Sequence, residues 1–242
     1  MNRVRQATRV ILWGLVLLAI GFAIYALVRS RPQDLPWRPL DLSEPVGMFT
    51  GRKLAGLADD FPKCRQLLEQ AGVHYLPLAP LVSGQCGYAD GVRLTAGGAR
   101  AIRFAPRDVG TSCPVAAALA MWEWQVVQPA ARRHFDSAVV RIEHFGSYNC
   151  RRMYGRSSGD WSEHAAANAL DVAGFVLANG KRVTVVGDWK GEGERAAFLR
   201  EVRDGACGLF STVLSPDYNA AHRDHLHLDQ ARRGAMGWRA CR

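Results

Sequence analysis

The N-terminal part of the chain contains nineteen consecutive residues, 10–28, without a charged or strongly polar side chain. At about 1.5 Å of rise per residue, a helix of this length reaches about 28 Å, close to the hydrocarbon thickness of a bilayer. The apolar part of a signal peptide, the main alternative, is usually about 7 to 15 residues long and precedes a small-residue cleavage site. This run continues instead as YALVRSRPQ. We therefore predict an uncleaved transmembrane anchor at residues 10–28, after a cytoplasmic N-terminus at residues 1–9.

Six widely spaced cysteines follow the apolar run, at Cys64, Cys86, Cys113, Cys150, Cys207 and Cys241. None forms a CxxC pair, the spacing typical of zinc ribbons and redox motifs. An even, dispersed set indicates up to three disulfides and an oxidising compartment, whereas six buried free thiols would indicate a cytoplasmic domain. We favour disulfides, which place the C-terminal part of the chain outside the cytoplasm.

The formal charge of +9 is concentrated beside the predicted anchor. Residues 1–31 contain five arginines and no acid, so residues 32–242 hold 26 basic and 22 acidic groups. This small surplus, without an interleaved basic and aromatic surface, predicts no nucleic-acid partner.

Four of the eleven prolines lie in residues 29–49, at Pro32, Pro36, Pro39 and Pro45. Proline fixes φ and removes a hydrogen-bond donor, so we predict a Pro-rich linker that holds the domain off the membrane as an extended tether. The remaining residues, 50–242, are enough for one well-cored domain.

Residues 50–242 show both helical and strand patterns. Helices are expected at residues 62–71, 113–135 and 193–205, and Trp122 and Trp124 should be core or interface residues. Strands are expected as a hairpin within 92–104, at 138–145, as a second hairpin around Asn179 and Gly180, and at 225–229. This order predicts an α+β fold, a single domain with a central antiparallel sheet and flanking helices.

The segment AAHRDHLHLD, residues 220–229, contains three of the seven histidines. On a strand, His225 and His227 share one face while the intervening leucines face the core. Upstream, SEHAAANALD places His164 seven residues before Asp171. A catalytic zinc takes three nitrogen or oxygen ligands and keeps one position open. His164, Asp171 and one histidine of the pair would supply them, the alternative being a solvated histidine-rich turn.

Other residues of these segments have candidate roles in the same chemistry. Asp224 is the candidate base, and His225 would stabilise developing charge. His222 has the weakest claim, as a residue that orients a ligand, and Ser162 is a local hydrogen-bond partner. Two histidines and a carboxylate also suit non-haem iron, but no matching cofactor signature accompanies them. The HExxH motif of helical zinc proteases is also absent from the sequence.

The pattern H-x6-D followed far downstream by D-H-x-H resembles the zinc peptidases of the lysostaphin, D-Ala-D-Ala metallopeptidase and hedgehog-type group. This resemblance implies His164, Asp171 and His227 as ligands of one Zn²⁺ per chain. It implies Asp224 as general base and His225 as a supporting catalytic histidine. In the D-Ala-D-Ala peptidases an arginine before the first ligand pairs with the substrate carboxylate, a role that Arg151, rather than Arg152, would take here.

The chain is still more similar to the bacterial extensin-like C-terminal domain family, over residues 40–242. The segments PLDL, GSYNCRR, SEHAAANALDVAGF, RDGACGLFSTVLSPDYNAAHRDHLHLD and a terminal CR follow that family's order. Together the resemblances imply a single-pass protein of the bacterial inner membrane with its C-terminal domain in the periplasm. The domain would be a zinc metallopeptidase, of D-Ala-D-Ala carboxypeptidase or endopeptidase type, or an amidase, acting on peptidoglycan peptide stems.

Two other functions stay open at this point. The first is a catalytically inactive zinc-fold binding or scaffold protein of the cell envelope, since hedgehog-type relatives show that this fold need not hydrolyse anything. The second is a metal-independent envelope assembly factor. The presence of Asp224 favours the enzyme, because an inactive site would be expected to lose its base.

Overall fold

The computed structural model describes residues 2–234 and 239–242 of the chain. In these residues the α-helices are α1 Asn2–Ser30, α2 Thr50–Gly56, α3 Phe61–Gln70, α4 Cys113–Trp122, α5 Gln128–Phe135, α6 Val185–Asp188 and α7 Glu194–Ala206. The strands are β1 Val73–Pro77, β2 Leu81–Ser83, β3 Cys86–Tyr88, β4 Gly91–Gly98, β5 Arg103–Ala105, β6 Gly110–Ser112, β7 Val139–Gly146, β8 Ala169–Leu177, β9 Arg182–Thr184, β10 Thr212–Leu214, β11 Leu226–Asp229 and β12 Ala240–Cys241.

The first helix, α1, contains the whole predicted anchor. It is long and apolar enough to cross a membrane, and the rest of the protein buries none of its apolar span. The domain boundaries expected from the sequence remain predictions.

The larger sheet has seven strands in the order β12-β10-β11-β8-β7-β5, with β9 paired to β8. Its central pairs are antiparallel, as predicted, whereas β12 and β5 add parallel strands at the edges. Helices pack on one face, where Phe175 of β8 contacts Trp122 of α4 and Phe198 of α7. The predicted α+β class is confirmed.

The predicted helix at residues 113–135 forms with one irregularity. A π-helical turn, Glu123–Val127, separates α4 from α5, and the Gln128 N–H donates to the Glu123 carbonyl five residues earlier. Pro129 gives the physical reason, because proline lacks an N–H and its ring clashes with the carbonyl four residues before it in a regular helix. Trp122 is buried in the core, as expected.

The predicted hairpin within residues 92–104 is wrong beyond a single antiparallel bridge between Gly97 and Arg100. β4 pairs with β1 and β6 in a separate three-stranded sheet, whereas β5 lies parallel to β7 in the larger sheet. Between β4 and β5 the Arg100 side chain enters the core and pairs with Glu123, with 2.9 Å between Nη2 and Oε2. That buried pair directs the chain away from β4.

The second predicted hairpin, around Asn179 and Gly180, is confirmed as β8 and β9. Its second strand is shorter than expected because the Thr184 hydroxyl accepts a hydrogen bond from the Gly187 N–H and caps α6. The last predicted strand forms as β11, which starts at Leu226, so His225 lies just before the strand.

The Pro-rich segment is not the extended tether that we expected. Leu42 is only 1% exposed and belongs to the hydrophobic core. The Glu44 carbonyl accepts a hydrogen bond from Gln125, and Lys53 donates to the Leu35 carbonyl. The sequence could not predict these contacts, because they join the segment to separate elements, α2 and the π-helical turn.

All six cysteines form disulfides: Cys64–Cys113, Cys86–Cys150 and Cys207–Cys241. The first joins α3 to α4, the second joins β3 to the segment that follows β7, and the third joins the end of α7 to β12. The three expected disulfides are therefore present, and the second fixes the chain next to Arg151.

The Arg100–Glu123 pair gives a test of the core. Glu123 also accepts hydrogen bonds from the N–H groups of Ala101 and Ile102. Glu123→Gln should lower the free energy of unfolding by about 3 to 5 kcal/mol, because it leaves the Arg100 charge buried without a partner. Guanidinium titration of the detergent-solubilised chain measures this loss. The control variant Arg100→Met/Glu123→Gln leaves no buried charge and should lose less. A single variant as stable as the wild type would contradict the proposed role of the pair.

Candidate metal centre

Two neighbouring strands and one turn bring the predicted ligands together. β11 pairs antiparallel with β8 in a register that sets His227 opposite Asp171. His164 lies in a 3-10 turn, Glu163–Ala166, immediately before β8. Ser162 caps this turn, since its hydroxyl accepts a hydrogen bond from the His164 N–H. The buried leucines of β11, Leu226 and Leu228, face the core, so the alternation predicted for this strand is correct.

The potential donor atoms of the three residues converge on one point. His164 Nε2 lies 3.2 Å from Asp171 Oδ1 and 3.2 Å from His227 Nδ1. His227 Nδ1 lies 2.8 Å from Asp171 Oδ1. All three residues are buried, and within the described part of the chain they form a cluster that could hold a metal ion.

The outer nitrogen of each imidazole is held by an acceptor. His164 Nδ1 lies 2.6 Å from the Ser147 carbonyl oxygen, which can only accept, so Nδ1 carries the proton. His227 Nε2 lies 3.0 Å from Asp229 Oδ2, a carboxylate oxygen. Loss of the proton from each inner nitrogen therefore leaves a lone pair directed at the same point as the carboxylate of Asp171. Acceptors that hold the outer nitrogens in this way fix the orientation of metal-binding histidines.

The geometry of this donor set fits a small divalent cation. Three lone-pair donors within 2.8–3.2 Å of one another repel unless a proton or a cation lies between them. Zinc bonds of about 2.0 to 2.1 Å in a tetrahedron separate neighbouring ligand atoms by about 3.3 Å, close to the separations here. The residues present therefore fit zinc.

The pKa shifts within the cluster also favour a bound cation. Burial alone would raise the pKa of Asp171, but hydrogen bonds from His164 and His227 hold it well below its usual value. Burial alone would lower the pKa of His227, but Asp171 and Asp229 on its two sides raise it to about 9. Without a metal, His227 thus keeps a proton at neutral pH. A bound cation would replace that proton.

The cluster opens into a cavity of about 1100 Å³. Arg151 lies on its wall, and its role in binding a substrate carboxylate stays a prediction. Arg152 does not line the cavity, because its guanidinium stacks on Trp161 at 4.5 Å from the ring centroid. Partly exposed aromatic rings, Tyr154, Trp161 and Tyr218, also border the cavity.

Asp224 and His225 are placed differently from each other. His225 borders the cavity, and its Nε2 lies 3.5 Å from Asp171 Oδ1. Asp224 is not part of the cavity wall, its side chain is 32% exposed, and its Oδ1 lies 2.9 Å from His225 Nδ1. The sequence-based role of Asp224 as direct base therefore does not agree with this arrangement, in which Asp224 contacts the site through His225.

Three further residues belong to the site: His222, which was given the weakest role from the sequence, and Glu163 and Asp229, which were not predicted. His222 is buried in the cavity wall with its ring 5.9 Å from that of His227, and burial lowers its pKa to about 4. Glu163 lines the same cavity, where burial raises its pKa. Asp229 holds His227. The alternation of β11 could have indicated Asp229, because positions 227 and 229 share a strand face.

Comparison with known protein families gives a match. A family model described as "Extensin-like protein C-terminus" matches residues 62–242, which include the whole cluster. Comparison with curated proteins and with solved structures finds no match.

The contact between Asp229 and His227 gives a test that does not depend on activity. Asp229 uses Oδ2 for His227 and Oδ1 for the Ala231 N–H, and the amide of Asp229→Asn has only one acceptor oxygen. We expect this variant to bind zinc about 10- to 100-fold more weakly, because the outer nitrogen of His227 loses the carboxylate that orients it. Chelator competition measures the affinity. Asp224→Asn is the matched control and should keep wild-type affinity, so equal losses in both variants would contradict the assignment.

Proposed function

Since the chain belongs to the extensin-like protein C-terminus family, whose name specifies no chemistry, we propose its function from the site: a membrane-anchored zinc-dependent peptidase or amidase of the periplasm that acts on the peptide stems of peptidoglycan. The convergence of His164, Asp171 and His227, with the two outer nitrogens held by acceptors, carries this proposal. The family and the apolar helix α1 suggest a membrane-anchored envelope protein. Three disulfides support an oxidising compartment such as the periplasm.

In this proposal His164, Asp171 and His227 hold one zinc ion. When bound, zinc supplies Lewis-acid activation of a carbonyl group and of water, the chemistry needed to hydrolyse an amide. The burial of all three residues keeps bulk water from competing for them.

His225 is the residue best placed to move a proton at this site. Asp224 holds its Nδ1, so its Nε2 is directed towards Asp171 and the cavity. An imidazole oriented by a carboxylate can take a proton from a nucleophile and deliver it to a leaving amine, while the carboxylate stabilises the imidazolium. Asp224 is then a positioning residue, and His225 carries the proton.

The cavity wall supports a substrate that carries a carboxylate. Arg151 borders the cavity beside Cys150, whose disulfide with Cys86 fixes the local chain. Its guanidinium offers a planar pair of donors that matches a carboxylate. Peptide stems carry such groups, and Arg151 would orient the scissile bond relative to His225.

Digestion of purified peptidoglycan by the zinc-loaded chain, followed by mass analysis of the fragments, tests the proposal. We expect cleavage in the peptide stems, and His225→Ala should lower the rate by about 10²- to 10⁴-fold, because proton transfer contributes about that much. The variant should keep its zinc, since His225 is not among the three ligands.

His134→Ala is the control for this variant, because His134 pairs with Glu201 away from the cavity. A folded, zinc-loaded wild-type protein that leaves every peptidoglycan preparation intact would overturn the enzyme and support the binding or scaffold function.

A further inference from the structure

The segment between α1 and α2 folds back so that its two ends meet. Asp34 Oδ1 accepts a hydrogen bond of 2.7 Å from the Met48 N–H. Gly47 packs so closely on the Gln33 carbonyl that a Cβ at this position would lie 2.6 Å from its oxygen. Residues 47 and 48 are therefore fixed beside residues 33 and 34, which follow the end of α1 at Ser30.

Two large apolar side chains project from this segment without packing on the domain. Trp37 is 76% exposed and Met48 is 75% exposed. Pro36 and Pro39 flank the tryptophan closely and restrict the backbone around it. Water is an unfavourable environment for both side chains, and the nearest apolar medium is the one that α1 itself would enter.

Arginines accompany these side chains at the end of α1. Arg29 lies over the ring of Tyr25, with 5.3 Å between its Cζ and the ring centroid. Arg31 pairs with Asp34 at 3.3 Å, and Arg38 pairs with Glu44 at 2.8 Å. Tryptophan and arginine are the residues that favour the lipid–water interface, the first through its amphipathic ring and the second by directing its charge to the headgroups.

We propose that Trp37 and Met48 insert into the bilayer interface beside the end of α1, so that the domain is seated on the membrane surface. Lipid is the partner of these two side chains, because their segment follows an apolar helix that ends four residues before Asp34. Leu42 and Glu44 fix the same segment to the domain, so contact of Trp37 with lipid also fixes the height of the domain.

Helix α2 connects the metal centre to the segment that carries Trp37 and Met48. Helix α2 starts at Thr50, two residues after Met48, and its residues Gly51, Arg52 and Ala55 line a cavity of about 400 Å³. That cavity shares Ala231, Arg232 and Arg233 with the cavity of the metal centre. A domain seated through this segment would therefore hold the metal centre at a fixed height above the bilayer, whatever reaction it performs.

Depth-dependent fluorescence quenching in the full chain tests this inference. The chain is reconstituted into vesicles of phosphatidylcholine and phosphatidylglycerol, with or without bromine atoms near the top of the acyl chains. Subtracting the emission spectrum of Trp37→Phe from that of the wild type gives the emission of Trp37. The contribution of Trp13 within α1 cancels in this difference spectrum. We expect this difference to be shifted to shorter wavelength and to be largely lost in brominated vesicles, with little quenching by aqueous acrylamide.

Trp161→Phe is the matched control, because Trp161 is also partly exposed but lines the cavity of the metal centre. Its difference emission should not respond to brominated lipid. Trp37 emission that acrylamide quenches strongly and brominated lipid leaves unchanged would overturn the inference. A chain that does not float with the vesicles would overturn it as well.

Discussion

The antiparallel pairing of β8 with β11 is the constraint on which the site depends. Its register sets His227 opposite Asp171 and Leu228 opposite Leu170. The leucines are fully buried in the hydrophobic core, so a slip of β11 by one residue would turn His227 into the core and Leu228 into the cavity. The hydrophobic core therefore fixes the positions of the polar cluster, and stability and chemistry share the same strand alternation.

Much of this site follows from local sequence rules. The period of two in HLHLD predicts that the histidines share a face, and the small residues after His164 predict a turn that leads into β8. Other contacts depend on tertiary structure. His222 reaches the cavity through a 3-10 turn, Ala220–His222, and the Ser147 carbonyl comes from the end of β7. Asp224 and His225 are adjacent, so spacing alone could not show which of them faces the metal centre.

The same difference separates the successful and unsuccessful parts of the fold prediction. Helix 113–135 and the hairpin at Asn179 depend on periodicity and turn chemistry within a short stretch, and both form. The separation of β4 from β5 depends on the buried pair of Arg100 with Glu123, and the folded-back linker depends on Leu42 in the core. Arg100 and Glu123 are 23 positions apart, and the core that contains Leu42 draws residues from the whole domain, so no local pattern encodes these partners.

The central claim is that His164, Asp171 and His227 hold a metal ion, and elemental analysis of the purified chain tests it most directly. We expect about one zinc per chain in the wild type and loss of that zinc in His164→Ala. His144→Ala removes another buried histidine, which contacts the Arg107 carbonyl outside the cluster, and should keep its zinc. A folded, disulfide-bonded wild-type chain that takes up no zinc, or a His164→Ala variant that keeps it, would show that these three residues do not form a zinc site.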